Sequence, residues 1–391
     1  MNSGDYIPFL NSKGDCELFK KFYADAKLCR IPIDRLDYTV EVPADQCWVD
    51  TGFDGLSEPL DSGRSDKWKE FVRQLGEVDF LLDSVFLEKP NEAKLRPLVT
   101  KLLDIAWARK PGYLSVPQFP HADGITNNKI NRMLAALASE WRTKSCAKAK
   151  FILPIIFTHQ RQLVGKTERG PKVKLAASLI TRAGAEGYWS VDCSLDDQKG
   201  IGNFDKERFP AVISFFEELN QLLTCPLRIA GPYWGLNLVL WARGLATHFA
   251  VGLGSTYNHH VTGGFSRKTK ARVAIASLRR WVIANNELSV WLGHAIAKLP
   301  AGSTEARELD ALRLTLDRLQ HGDAGKRQIA EVYRNWVTKI EAVAPTGRAL
   351  ALYQDLSTAF VTGRNLPELP SDEGTARRPE RVAQQLMLNC L

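Results

Sequence analysis

Phe151-Ile152-Leu153-Pro154-Ile155-Ile156-Phe157-Thr158-His159-Gln160 is an unbroken apolar run that ends abruptly in polar residues. A run of this kind, with no polar residue alternating along it, suits a strand covered on both faces, as in a parallel sheet wrapped by helices. Shorter runs recur on either side of it: Tyr6–Leu10, Gln46–Asp50, Val78–Asp83, Gly112–Pro117, Tyr188–Cys193, Leu227–Gly231 and His248–Gly252. Between them lie segments with helical periodicity, for example Trp68–Leu75, Ala93–Ala108, Lys129–Trp141, Ala211–Leu223 and Leu236–Leu245. Strands and helices in alternation predict an α/β fold, a TIM-like (β/α)8 barrel over residues 1–264, because such barrels take about 250 residues. An open doubly wound sheet is the structural alternative.

Beyond Gly264 the pattern changes to long helices, Ser266–Ala297, Glu305–Gln320, Gly325–Val343 and Thr346–Phe360, with no strand between them. After Asn365 a loop containing Pro367, Pro370 and Gly374 leads to a short helix near Arg381–Leu388. Residues 265–391 are therefore expected to form a C-terminal all-helical region. The chain has 391 residues and is 45% hydrophobic, enough to bury a large core. Its seven cysteines are scattered without a C-x-x-C pair, which suggests reduced thiols. No stretch of about 20 apolar residues is present and the N-terminus lacks a signal-peptide pattern, so a cytoplasmic protein is expected, with no membrane partner. Lys and Arg number 52 against 44 for Asp and Glu, a net +8 that favours a polyanionic partner.

In a barrel, polar residues at the C-terminal ends of the strands meet at one mouth, where such enzymes do their chemistry. Here those residues are Asp50, Asp83, Gln118, His159 with Gln160, Asp192, Tyr233 and Ser255. The most informative string is Trp48-Val49-Asp50-Thr51-Gly52-Phe53-Asp54-Gly55, a carboxylate closing a buried strand and followed by glycines that let backbone approach a ligand. It resembles the second-strand motif Asp-Ser-Gly-Gly-Phe-Gln of the tRNA-guanine transglycosylase superfamily, through Asp50, Thr51, Gly52 and Phe53. Further similar passages follow in the same order: Phe151 to Gln160, Gly187 to Asp192, Ile229 to Trp234, a helix ending Ala242-Arg243-Gly244-Leu245, and Phe249 to Thr256. The similarity spans roughly Val42 to Tyr257.

The resemblance implies a barrel that cuts or exchanges the N-glycosidic bond of a nucleobase, with acid–base chemistry at Asp50 and a base pocket that includes Phe53. Three departures shape the expectation. The family's nucleophilic Asp on the last strand has no counterpart in Thr247-His248-Phe249-Ala250-Val251-Gly252. Its structural zinc has no ligand cluster here, since only Cys390 lies beyond Cys225. The paired glycines that shape its guanine pocket are replaced by His159-Gln160 and Val191-Asp192.

Cleaving such a bond builds positive charge on the sugar, which a carboxylate stabilises while another group protonates the leaving base. Asp50 and Asp192 are the expected pair. His159 is the expected proton donor, since imidazole is the side chain that exchanges a proton near neutrality. Gln160, Tyr233 and Trp234 join Phe53 as the expected base pocket. Blander roles stand beside these: Asp50 capping a turn, Asp192 paired with Arg182 or Arg228, His159 hydrogen-bonded in the core, and the two aromatics simply packing.

Arg161, Lys166, Arg169, Lys172 and Lys174 form an expected basic loop after the fifth strand, and Arg267, Lys268, Lys270 and Arg272 follow the last one, with Arg279 and Arg280 further along a helix. Both groups would flank the mouth and hold phosphates around a flipped nucleotide, with Asn258-His259-His260 close by; a solvated charged face is the alternative. The sequence thus leads to a DNA glycosylase that excises a modified base without cofactor or metal and leaves an abasic site, as relatives in antiphage defence are implied to do. Base exchange on tRNA or DNA, or a barrel that only binds nucleic acid, are the alternatives.

Overall fold

A computed structural model describes residues 4–59, 65–121, 126–145, 147–159, 161–196, 205–253, 259, 271–321, 323–370 and 377–391. Eight parallel strands close into a barrel in chain order: β1 (Tyr6–Phe9), β2 (Cys29–Pro32), β3 (Cys47–Asp50), β4 (Tyr113–Ser115), β5 (Lys150–Phe157), β6 (Gly187–Asp192), β7 (Leu227–Ala230) and β8 (His248–Gly252). β8 returns to pair with β1, Tyr6 opposite Phe249 and Phe9 opposite Gly252. The fold is the predicted TIM-like barrel. Its helices are α1 (Lys13–Phe22), α2 (Asp66–Leu75), α3 (Ser84–Glu88), α4 (Glu92–Trp107), α5 (Thr126–Lys144), α6 (Lys166–Ala183), α7 (Asp205–Leu222) and α8 (Leu236–Ala242).

One predicted strand is replaced by another. Val78–Asp83 is a 3-10 turn over Asp79–Leu82 in which only Leu81 is buried, so it has no apolar face to offer a sheet. Asp83, expected at a strand end, instead caps α3 by accepting the Val85 N–H at 2.9 Å. The second strand is Cys29–Pro32, whose buried Arg30 interrupts the apolar run by which a strand is recognised.

The chain beyond the barrel also departs from the all-helical expectation. Within the predicted helix Ser266–Ala297 lies an antiparallel ribbon of β9 (Arg272–Ile275) and β10 (Arg280–Ile283), closed by a 3-10 turn and by Arg279 at φ 52°. Its alternation explains it. Ala274 and Trp281 face the barrel core, while Val273, Ile275 and Val282 face a second cluster built with α9 (Asn286–Ile296) and α10 (Thr304–Leu319). A helix would point these residues in all directions, whereas a period of two sorts them onto two cores. The remaining helices, α11 (Ala324–Glu341), α12 (Arg348–Arg364) and α13 (Arg381–Met387), bury Tyr333, Trp336, Leu356 and Leu386 in the barrel's own core.

Close strand approach is written into Gly187 of β6, where a Cβ would lie 2.4 Å from the Leu227 carbonyl oxygen of β7. Gly170, inside α6, has nothing within 4 Å of the same position. Gly187→Ala is expected to cost about 1–3 kcal/mol by forcing β6 and β7 apart. Gly170→Ala is expected to add roughly 0.5–1 kcal/mol through helix propensity. Urea unfolding of both variants checks the pair.

Candidate active site

Residues paired in register share a face of a sheet, and those facing inward from non-adjacent strands meet only through the lumen. Trp48 of β3, Trp189 of β6 and Phe9 of β1 meet in this way, edge to face, with ring centroids 5.5 Å apart for the indoles and 5.9 and 5.6 Å from each indole to the phenyl ring. They form an aromatic floor below the mouth. The Trp48 indole N–H donates to Ser115 Oγ at 2.9 Å, and that of Trp189 donates to the Gly231 carbonyl.

Above this floor lies a buried ion pair. Arg30, inward on β2 in register with Trp48, places its guanidinium 4.4 Å from the Phe9 ring centre and 5.3 Å from that of Trp189. Its Nε donates to Asp50 Oδ2 at 2.8 Å, its Nη2 reaches the same oxygen, and its Nη1 donates to Asn11 Oδ1 at 3.3 Å. Asp50 Oδ1 accepts the Gly52 N–H at 3.3 Å. Only 2% of Asp50 and 6% of Arg30 is exposed, so neither charge is met by bulk water.

Gly52 adopts φ 59°, a left-handed conformation natural to glycine, and its Cβ position lies 3.0 Å from Trp68. The turn that follows brings Phe53 against Phe119, centroids 5.1 Å apart, and turns Asp54 back to the mouth. Asp54 Oδ2 lies 3.0 Å from His259 Nε2, and the imidazole stands edge-on to Trp189 at 4.9 Å. Two acidic groups with two basic partners therefore share one indole.

Asp192 is not the second of them. Along β6, Gly187, Trp189 and Val191 share the inward parity, which turns Asp192 outward to the helix layer. There it pairs with Arg208 of α7 at 3.3 Å and accepts from the Ser194 N–H at 2.9 Å. It is thus an internal ion pair, with Arg208 in place of the expected Arg182 or Arg228. Tyr233 belongs to the same network, its phenol oxygen accepting the Asp192 N–H at 2.6 Å. Burial first, and then the Asp192 charge, push that phenol's pKa well up. Trp234 packs against Tyr333 and Trp336 of α11 and donates to the Arg279 carbonyl at 2.8 Å, away from the floor.

His159 is exposed, not in the core, and its Nδ1 faces the Arg161 N–H at 3.4 Å. Gln160 and Ser255 lie outside the described residues. Of the expected basic loop, only Arg161 precedes α6; Lys166, Arg169, Lys172 and Lys174 lie on the helix itself. Arg169 is bound to Glu218 of α7 at 2.8 Å and Lys172 lies 4.0 Å from Glu168, while Lys166 and Lys174 are exposed. Arg267, Lys268 and Lys270 fall outside the described residues, as do Asn258 and His260. Arg272 stacks on Trp281 at 4.0 Å, and Arg279 pairs with Asp355 at 2.6 Å, both in the ribbon and not on a helix.

Arg30 and Asp54, and the part that His259 plays, escaped the sequence reading. A signal existed for the first, since an arginine within Cys29-Arg30-Ile31-Pro32-Ile33 must be buried with a partner if that segment is. His121 also escaped. It is buried beside Phe157, and burial, followed by the Lys172 charge, lowers its pKa to about 4. Among the described residues no group of three or more His, Cys, Asp or Glu is placed to hold a metal ion. No helix of the described residues is long and apolar enough to cross a membrane. No protein-family description, curated protein or solved structure matches the chain.

Two stability predictions follow from these buried groups. Arg30→Met leaves the Asp50 charge unpaired in the interior and is expected to cost about 3–5 kcal/mol, whereas Arg30→Met with Asp50→Asn recovers much of that loss. Equal unfolding free energies for the single and double variants would dismiss the pair as a paired unit. His121 stays neutral in the fold down to about pH 4, while the unfolded chain takes up the proton near its usual 6.5. Its contribution is therefore complete above that value and is lost as pH falls through the window between the two. Between pH 7 and pH 5 the native protein should lose about 1–2 kcal/mol more stability than His121→Gln, as denaturant titrations at the two pH values would register.

Proposed function

We propose that the barrel hydrolyses the N-glycosidic bond of a nucleobase in a nucleic acid, acting as a DNA glycosylase on a modified base. The observation that carries the reading is the mouth itself: the Asp50 carboxylate fixed by Arg30 above Phe9, Trp48 and Trp189, with Asp54 and His259 across the same indole. Departure of a base leaves oxocarbenium character on the sugar, and a carboxylate fixed in a water-poor site stabilises that charge without having to reorganise. The Asp50 position is also the one the transglycosylase resemblance points to.

Hydrolysis is favoured over base exchange by the last strand. β8 reads His248-Phe249-Ala250-Val251-Gly252 and offers no carboxylate to form a covalent sugar intermediate. Water is then the natural acceptor. Arg161, Lys166 and Lys174, exposed at and after the end of β5, are the described cations with which a nucleic-acid backbone would pair. An enzyme of this kind would serve defence against phages whose DNA carries modified bases. Its partner would be that DNA.

The test offers purified protein plain duplex DNA and phage DNAs in which cytosine or guanine is replaced by bulkier derivatives, then measures free base by chromatography and abasic sites by alkaline cleavage. Base release from a modified DNA is expected, and Asp50→Asn should slow it by about 10²–10⁴-fold. Incorporation of a labelled free base would assign exchange instead. DNA binding without release from any substrate would make the barrel a binding module, and an Asp50→Asn protein as fast as the native one would remove that residue from the chemistry.

A further inference from the structure

We propose that His259 is the acid–base residue of this mouth and Asp54 its positioning residue, an inference that rests on the glycosidic reading above. The imidazole presents Nε2 to Asp54 Oδ2 at 3.0 Å, while its Nδ1 has no hydrogen-bond partner among the described residues. One ring nitrogen is thus anchored and the other is left to give or take a proton. Asp54 holds the ring at Nε2 and so fixes its orientation.

The position is as telling as the pairing. The imidazole lies edge-on against Trp189 at 4.9 Å, and the Arg30 guanidinium that holds Asp50 lies 5.3 Å from the centre of the same indole. A base held beside Trp189 would therefore lie next to the His259 imidazole. Among the described residues this imidazole faces Asp54 and Trp189, with Arg30 on the same indole and the half-buried Cys193 near Asp54. Burial holds the Cys193 thiol pKa well up, the nearby Asp54 and Asp192 charges adding to the rise, so it stays protonated and does not compete for the proton. Asp54 and His259 are separated by 205 positions in the chain, and only 9% and 12% of their side chains is exposed.

The step balances with water alone. The bond from C1′ to the base nitrogen breaks and its electron pair leaves with the base, which takes the Nδ1 proton of His259. The sugar cation, faced by Asp50, adds water at C1′. The proton that water loses returns to Nδ1 and restores the imidazolium.

Single-turnover base release is measured against pH on the modified DNA that the native protein cleaves, for native protein, His259→Ala, His259→Asn and Asp54→Asn. Both His259 variants should lose about 10²–10⁴-fold in rate and the fall of activity on the alkaline side, while DNA affinity and thermal unfolding stay near native. Added imidazole should restore part of the rate to His259→Ala. Asp54→Asn should lose less and move the alkaline limb to lower pH. A His259→Ala protein with the native rate and pH profile would overturn this role and leave the glycosidic reading standing, as would a loss that imidazole does not relieve and that tracks a loss of DNA affinity. Silence of the native protein on every DNA would defeat both.

Discussion

Arg30 and Asp50 are opposite charges enclosed by rings, and the upper half of the barrel is arranged around keeping them together. Taking an ion out of water costs several kcal/mol, which a partner offsets only when the geometry is good and the remaining donors are used. Here both guanidinium nitrogens on one edge reach a single carboxylate oxygen, and a third donates to Asn11. The flat, weakly hydrated guanidinium also lies near Phe9 and Trp189, a contact the compact ammonium of lysine would make less well. A barrel interior filled only with aliphatic side chains would be the more stable solution on these grounds. The charge pair at the strand ends is therefore kept against what packing stability alone would favour.

Strand parity then decides which acidic residues can take part. Asp50 and Asp192 end their strands at the same rim, but the two-residue alternation sends the first inward with Trp48 and the second outward with Tyr188 and Ser190. The one meets a lumen arginine, the other a helix arginine, Arg208. The second mouth carboxylate comes instead from the turn after β3, where left-handed Gly52 reverses the chain and carries Asp54 over the opening.

The same distinction explains what could be read from the sequence. Seven of the eight strands stand out as short, largely apolar segments bounded by turn residues, and Asp50 with its glycine turn is legible as a strand end. Cys29–Pro32 is not, since its Arg30 is buried and that buried charge makes sense only once Asp50 is known to be opposite. Val78–Asp83 has the composition of a strand, yet its side chains do not sort onto a face. The β9–β10 ribbon was hidden by flanking helical sequence, since its alternation matters only when two cores lie on either side of it. Membership of the site is less legible than the fold: His259 is one histidine among seven, and nothing local says that it will meet Asp54 from across 205 positions.

The C-terminal helices reach the site through the loop after β7. Asn237 donates to the Tyr233 carbonyl at 2.7 Å and to the Ala250 carbonyl of β8 at 2.6 Å, fastening that loop to the last strand. The Gly231 carbonyl receives the Trp189 indole N–H, so the loop also fixes the ring that Arg30 and His259 share. Trp234, in the same loop, is wedged against Tyr333 and Trp336, and Leu386 of α13 fills the space beside Gly235, where a Cβ would lie 2.2 Å from its Cδ1. α8 is short and wholly buried because α12 covers it where the barrel would otherwise meet solvent. Helices that look appended in the sequence are thus part of the scaffold that holds Trp189 in place. Arg30 and His259 both pack against that one indole, so its orientation ties the position of the ion pair to that of the imidazole.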